Sequence, residues 1–518
     1  MSEFFRFIPV RTSAARQVMP GTLALAAVAV SILGIAGCGS NLRPTVTPIV
    51  GTGPAPQPTA YAFVVSTPSS SAQGIGTVVD YSGDTVSATS PIGPGPSTFA
   101  INSGGSVAWT LNADGTLSNI PVNANLQQKN VTFSTLNQLP PSGVNPVVAL
   151  FGGALGLYAL DVSTNEVDVL TGSPAAFKLV VPVDQTPVTM VGVATSTRLY
   201  SVSQMIPYLT PTSVGAATVD GGAACNVNPS AVGVKGMADG IETATYTVSS
   251  HIQLGVCPVY AVGSPDGRRV FVLNRGDDTV SVINSQNNAL NSCTPGVNQN
   301  GQPYTCHPSL PVTPAAGSTH AGPVYAEYNA TTQQLVVSNY DGNSVSVIDV
   351  SLDEFGNDSS TFGTTFTIPV GKNPAAVTVL ADGSRAYTAN QSDKTVSIIN
   401  VSSHTVETTL PVTGHPRTVV STQNSVFGKV YVVSPDSPFV TVIRTDQDIV
   451  GTTVLVQGNA IDARTTSPDA TSANTNLVSR LPGAGQPCYL PPSDFAAAGA
   501  PITVANCKVQ DPTLLTTP

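Results

Sequence analysis

The feature that most constrains this chain is a repeat laid out on a fixed ruler. From Gly371 to Gly414 the sequence reads GKNPAAVTVLADGSRAYTANQSDKTVSIINVSSHTVETTLPVTG. It contains four short runs, AAVTVL, RAYTAN, TVSIIN and TVETTLPV, separated by turn residues such as Asp382-Gly383 and Gln391-Ser392-Asp393. Runs of Val, Ile, Thr and Tyr bounded in this way are strands. Four strands in about forty residues make one antiparallel meander, which cannot bury both of its faces alone.

The same ruler measures the neighbouring stretches. Pro258, Pro323 and Pro374 are each followed after sixteen residues by an Asn: Asn274, Asn339 and Asn390. After twenty-one residues comes a Thr or Ser that opens a matching run: TVSVIN from Thr279, SVSVID from Ser344 and TVSIIN from Thr395. Pro416 opens a fourth copy with two extra residues in its first turn. Looser copies begin at Pro96, Pro146 and Pro187, the last interrupted by an insertion over 205–245. Further insertions fall at 285–320 and 351–363.

The first unit, residues 60–93, lacks an opening strand, and GNAIDART (458–465) is an opening strand with nothing after it. The two fragments complete each other if the chain closes into a ring, which removes the open sheet edges. The expected fold is all-β: a β-propeller of four-stranded antiparallel blades, its ring closed by N- and C-terminal strands. The repeat count gives eight blades, with seven as the alternative.

These units resemble the YVTN-type, or surface-layer-type, β-propeller repeat family. The resemblance is carried by Asp266-Gly267 with Phe271-Val272-Leu273-Asn274 and Thr279 to Asn284, and by Asp382-Gly383 with Tyr387-Thr388-Ala389-Asn390 and Thr395 to Asn400. It covers 255–456 closely and 60–254 loosely. It implies an exported or surface location and, often, a binding role; some related propellers are lactonases or carry redox cofactors. Read from the residues themselves, the Asp-Gly pairs are tight turns. The Asn after each second strand is expected to cap a turn by side-chain-to-backbone hydrogen bonding. Chemistry needs one site rather than eight, so the repeated residues read as frame.

The N-terminus reads as an address. Arg6, Arg11 and Arg16 precede the apolar run TLALAAVAVSILGIAG, which leads into Cys38. A basic segment followed by an apolar one is a secretory signal, and Ile35-Ala36-Gly37-Cys38 resembles a bacterial lipobox. That resemblance implies cleavage before Cys38 and lipid on its sulfur, which holds a soluble domain on a membrane at about 0.8 kcal/mol per buried CH₂. Gly39 follows, in place of the Asp that marks inner-membrane retention, so the outer membrane is the expected location. The expected divisions are a signal peptide (1–37), a Pro/Gly/Thr-rich tether (38–59), the propeller (60–466) and an extended tail (467–518). The formal charge is −10, only 10% of residues are charged, and no Lys/Arg stripe appears, which excludes a phosphate-tracking nucleic-acid binder.

Six further cysteines, Cys225, Cys257, Cys293, Cys306, Cys488 and Cys507, are disulfide candidates in an exported chain. Six cysteines allow fifteen connectivities, of which pairing of sequence neighbours is the simplest. No CxxC, CxxCH or Cys/His cluster at ligand spacing occurs, so no metal and no cofactor are assigned. No GxSxG elbow with a triad, no HExxH and no phosphate loop appears, so no catalytic residue is assigned. His251, His307 and His404 read as surface or turn residues. His320 and His415 each sit just ahead of a blade-opening Pro and are candidates to line the channel mouth.

The expected function is a cell-envelope lipoprotein whose propeller serves as a non-enzymatic binding or scaffold module, for a protein or glycan partner. The alternative is a propeller enzyme of lactonase or cofactor-dependent type acting in the central channel. A structural envelope component without a discrete ligand is a third reading.

Overall fold

Each Pro-headed run becomes the innermost strand of a four-stranded sheet. A computed structural model describes residues 61–466 apart from the internal segments 70–71, 103–104, 106, 113–115, 123–131, 136–146, 154–155, 163, 173–174, 195, 206–233 and 294–304. The expectations for Cys38, Cys225, Cys488 and Cys507, and for the signal, tether and tail, lie outside the described residues.

Blade I consists of β1 (Tyr61–Thr67), β2 (Gln73–Asp80) and β3 (Val86–Pro94), completed by β33 (Asn459–Thr465). Blade II is β4 (Pro96–Ile101), β5 (Val107–Asn112), β6 (Thr116–Pro121) and β7 (Thr132–Thr135). Blade III is β8 (Val147–Gly152), β9 (Leu157–Asp161), β10 (Glu166–Thr171) and β11 (Ala176–Pro182). Blade IV is β12 (Pro187–Gly192), β13 (Arg198–Ser203), β14 (Lys235–Glu242) and β15 (Thr247–Val256). Blade V is β16 (Pro258–Gly263), β17 (Arg269–Asn274) and β18 (Thr279–Asn284), with β19 (Ala289–Leu290) and β20 (Ser309–Pro311) sharing the outer edge of β18.

Blade VI is β21 (Pro323–Asn329), β22 (Gln334–Asn339), β23 (Ser344–Asp349) and β24 (Thr365–Pro369). Blade VII is β25 (Pro374–Val379), β26 (Arg385–Asn390), β27 (Thr395–Asn400) and β28 (Thr405–Pro411). Blade VIII is β29 (Thr418–Ser421), β30 (Lys429–Val433), β31 (Phe439–Arg444) and β32 (Ile449–Leu455). The inner strands touch in order, β4 to β8, β12, β16, β21, β25 and β29, and β33 touches both β29 and β4. The chain is therefore an eight-bladed propeller whose first blade borrows its inner strand from the far end of the sequence.

That closure is a full antiparallel ladder. Ala62 pairs with Thr465, Val64 with Ala463 and Thr67 with Asn459. Ser66 Oγ donates to the Gln457 carbonyl, and the Thr466 amide donates to the Tyr61 carbonyl. Both new edges are thereby paired, which removes the template an open strand offers to another chain.

Antiparallel order gives the ring two faces. One carries the crossovers between blades and the hairpins between second and third strands. The other carries the remaining hairpins and the start of β1 at Tyr61. On this second face the blades are latched by a device the repeat ruler repeats but does not announce. Four second strands, β13, β17, β26 and β30, open on a cation and carry an aromatic third residue: Tyr200, Phe271, Tyr387 and Tyr431, all fully buried. The Tyr387 hydroxyl donates to Asp448 of blade VIII, and Tyr200 donates to Asn288 of blade V at 2.8 Å. Arg385 donates to the Thr445 carbonyl and pairs with Asp448, and Lys429 pairs with Asp84 of blade I. The acceptors Asp84, Asn288 and Asp448 hold φ of 51°, 52° and 55°, a conformation that Asn and Asp tolerate better than other non-glycine residues.

Two local expectations are corrected. The Asn after each second strand does not chiefly cap backbone. Asn274 Nδ2 donates to the hydroxyls of Thr279 and Ser281, both at 2.9 Å, and Asn339 and Asn390 repeat the pattern on Ser344 and Ser346, and on Thr395 and Ser397. These side chains tie second strand to third inside the sheet. The stretch 205–245, read as insertion throughout, ends in β14. Its sequence KGMADGIE has few β-branched residues, and only pairing with both neighbours makes it a strand.

Candidate functional site

Carboxylates gather on the crossover face, where each second hairpin reaches the segment entering an inner strand. Asp277 accepts from the Val256 amide, Asp393 from the Lys372 amide and Asp436 from the His415 amide. Asp278 reaches across to the next blade and accepts from the Ala321 and Gly322 amides. Asn343 and Asn165 do the same for Asn373 and Thr186. Arg275 of blade V grips Asp341 of blade VI with two parallel bonds of 2.9 and 2.8 Å, and both side chains are nearly buried, at 5% and 7% exposure. The RGD tripeptide at 275–277 is thus part of the frame.

His320 and His415 lie on this rim, half-buried beside carboxylates. His320 Nδ1 is 3.3 Å from Asp278, and His415 Nδ1 is 2.7 Å from Asp436. Burial raises the Asp278 carboxyl above its ordinary value, and the Gly322 and Ala321 amides oppose that only in part. At Asp436 burial also pushes upward, but the bonds from His415 outweigh it and the carboxyl is lowered. The two histidines are on different blades, VI and VIII, and each is engaged with a local carboxylate.

The eight inner strands carry three acidic or basic residues: Glu327 in β21, and Asp462 and Arg464 in β33. All three are buried. Asp462 accepts from Thr418, from the Ala463 amide and from Arg464, whose guanidinium also lies over the Phe99 ring. Burial pushes the Glu327 carboxyl up to about 8, against the Val379 amide and the Thr378 hydroxyl. Just ahead of β29, Arg417 is also buried.

A different kind of cluster lies on blade IV. Asp239 of β14 faces His251 of β15 directly across the ladder. Asp184 comes from the crossover joining blades III and IV, and its amide donates to Asp239 Oδ2 at 2.7 Å. Asp239 Oδ1 lies 2.6 Å from His251 Nδ1, and Asp184 Oδ2 lies 3.3 Å from the same nitrogen. Asp239 is fully buried and its Oδ1 makes no hydrogen bond of proper geometry, whereas the His251 side chain is 59% exposed. Burial raises the Asp239 carboxyl to about 6, with the Asp184 charge adding to it. The bond to Asp184 raises His251 above its ordinary value. Among the described residues, this is the one place where three such donors lie within 4.8 Å of one another. Sequence spacing hides it, because a long insertion separates Asp184, in a crossover, from the two adjacent strands that carry Asp239 and His251.

A second node surrounds Asp358 in the insertion of blade VI. Its carboxylate accepts from both the backbone and ring of His307, from Asn291 and from Arg269. The Cys293–Cys306 disulfide is formed next to this node. Cys257 is disulfide-bonded as well and fully buried. His307 stacks on Phe362, and His404 stacks on Phe366.

No protein-family model matches the chain, and none of the curated proteins matches it. Solved structures do. The structure of apo AztD from Citrobacter koseri aligns with TM-score 0.50 at 14% identity, over 78% of this chain and 97% of that one. A crystal structure of the same protein gives 0.49 at 13% over the same shares. Hydrazine synthase from Kuenenia stuttgartiensis aligns at 0.40 and 14%, over 68% of this chain and 98% of that one. At such identities the likeness is one of fold, and it is the propeller that is shared.

Proposed function

We propose that this chain is a lipid-anchored envelope protein of the YVTN-repeat type whose propeller works as a non-enzymatic binding or scaffold module. One observation carries the reading. Among the described residues, the polar groups of the rim and of the inner strands are committed to the frame: rim carboxylates accept backbone amides, and the acidic and basic residues of the inner strands are buried in packing. A ring built this way is a rigid platform whose connections are free to vary, as propeller scaffolds require.

The test has two arms. Cells expressing the protein are fed an alkyne palmitate and fractionated, with Cys38→Ser alongside; label and membrane retention are expected in the parent and lost in the variant. Purified protein is then used both to capture partners from envelope extract and to screen lactone hydrolysis. A reproducible partner without turnover supports the reading. Turnover without a partner sinks it in favour of the channel enzyme.

A further inference from the structure

We infer that Asp184, Asp239 and His251 form a binding site for a borderline first-row divalent cation of the Zn²⁺ kind, on the crossover side of blade IV. The donor set selects the class. One imidazole and two carboxylates suit Zn²⁺ and its neighbours; Ca²⁺ wants six to eight oxygens, and Cu⁺ wants thiolate or thioether sulfur.

The geometry is nearly that of a metal site. Bonds of about 2.1 Å in a tetrahedron put donor atoms about 3.4 Å apart. Asp184 Oδ2 and His251 Nδ1 are 3.3 Å apart already, and Asp239 Oδ1 stands closer to the imidazole, at 2.6 Å. The imidazole has to draw back from Asp239, and it is the exposed member, on the outer strand of the blade.

The second observation is the state of the buried oxygen. Asp239 Oδ1 is buried and meets the exposed His251 imidazole at 2.6 Å without a hydrogen bond of proper geometry, while its partner oxygen is fixed by the Asp184 amide. A buried carboxylate oxygen is costly unless a cation meets it; protonated His251 is that cation in the metal-free protein, and a metal ion held between the two side chains can replace its proton. That same amide bond orients the carboxylate, as outer-shell contacts do for metal ligands. Binding displaces the proton on His251 Nδ1 and any proton on Asp239, so cation uptake releases protons and strengthens as pH rises. Three protein ligands leave a fourth position to water or to a donor from a partner, on the side where His251 meets solvent.

The experiment uses the purified protein, freed of metal by chelation and titrated with ZnCl₂ against a chromophoric chelator, beside His251→Ala and Asp239→Asn. One equivalent is expected to bind. Each variant should bind about 100-fold more weakly or worse, since one of three ligands is gone. Co²⁺ should give visible absorption in the parent and not in His251→Ala. His251 is exposed, so unchanged circular dichroism in His251→Ala separates lost ligation from lost fold. No stoichiometric binding by the parent, or binding that folded His251→Ala retains, overturns the site and leaves an ordinary Asp–His ion pair.

Discussion

Asp239 and His251 stand opposite one another across the β14–β15 ladder, one fully buried and the other mostly in solvent, with 2.6 Å between carboxylate and imidazole. In the metal-free protein this pair makes stability fall with pH. A buried acid raised from 3.8 to about 6 favours its protonated form, so its contribution is whole below the ordinary value and is lost as pH climbs through 6. His251, raised above 6.5, contributes below that value and loses its contribution as pH rises through its folded value. Asp239→Asn keeps an acceptor for the Asp184 amide and removes the charge. Thermal unfolding under chelation should therefore show the variant gaining on the parent between pH 4 and 8, by on the order of 1 kcal/mol at the upper end. A gap that shrinks as pH rises would contradict the assignment.

Glu327 offers the same reasoning inside the ring. Its carboxyl is raised by burial from 4.5 to about 8, so the unfolded chain releases this proton several pH units before the folded one does. Glu327→Gln should match the parent near pH 4 and exceed it increasingly up to pH 8, by on the order of a few kcal/mol. Denaturant midpoints measured at pH 4, 6 and 8 read this directly. A variant less stable than the parent at pH 8 would show that the carboxylate is ionised and paired.

The latch between blades VII and VIII is testable with one oxygen. Tyr387 donates to Asp448, which Arg385 also holds. Tyr387→Phe keeps the ring packing and deletes a hydrogen bond to a charged group, with an expected cost of about 1.5–3 kcal/mol. Across the other face, Asp341→Ala leaves Arg275 buried without its carboxylate and should cost about 3–5 kcal/mol. Urea unfolding of both variants checks the order, with Asp341→Ala the worse.

Ring closure predicts a sharp length dependence. A chain ending at Thr466 retains β33 and should unfold as the full chain does. A chain ending at Gln457 loses β33 and exposes β1 and the flanks of β29 and β4. It should unfold at lower denaturant and associate, since an open strand edge recruits others. Equal stability and a monomeric profile in light scattering for both chains would count against closure by β33.

The ruler from Pro to Asn to Thr was legible because strands repeat their inward residues, so Pro258, Pro323 and Pro374 each open an inner strand. The closure was legible from two incomplete ends. What stayed hidden lies between blades. The Tyr200, Tyr387 and Lys429 latches need the neighbour's turn in place before their purpose can be seen. Asp184, Asp239 and His251 were hidden for a related reason: β14 has the composition of a loop, and without its register nothing aligns Asp239 with His251.

The central claim is that specific chemistry in this chain sits where blade IV departs from the repeat, and that the axis is frame. Crystals grown with ZnCl₂ and measured on both sides of the zinc absorption edge test it most directly. The account predicts one strong anomalous peak among Asp184 Oδ2, Asp239 Oδ1 and His251 Nδ1, in a ring of eight blades closed by Tyr61–Thr67 and Asn459–Thr465. A peak on the axis beside Glu327 or Asp462, or none at blade IV, would contradict it.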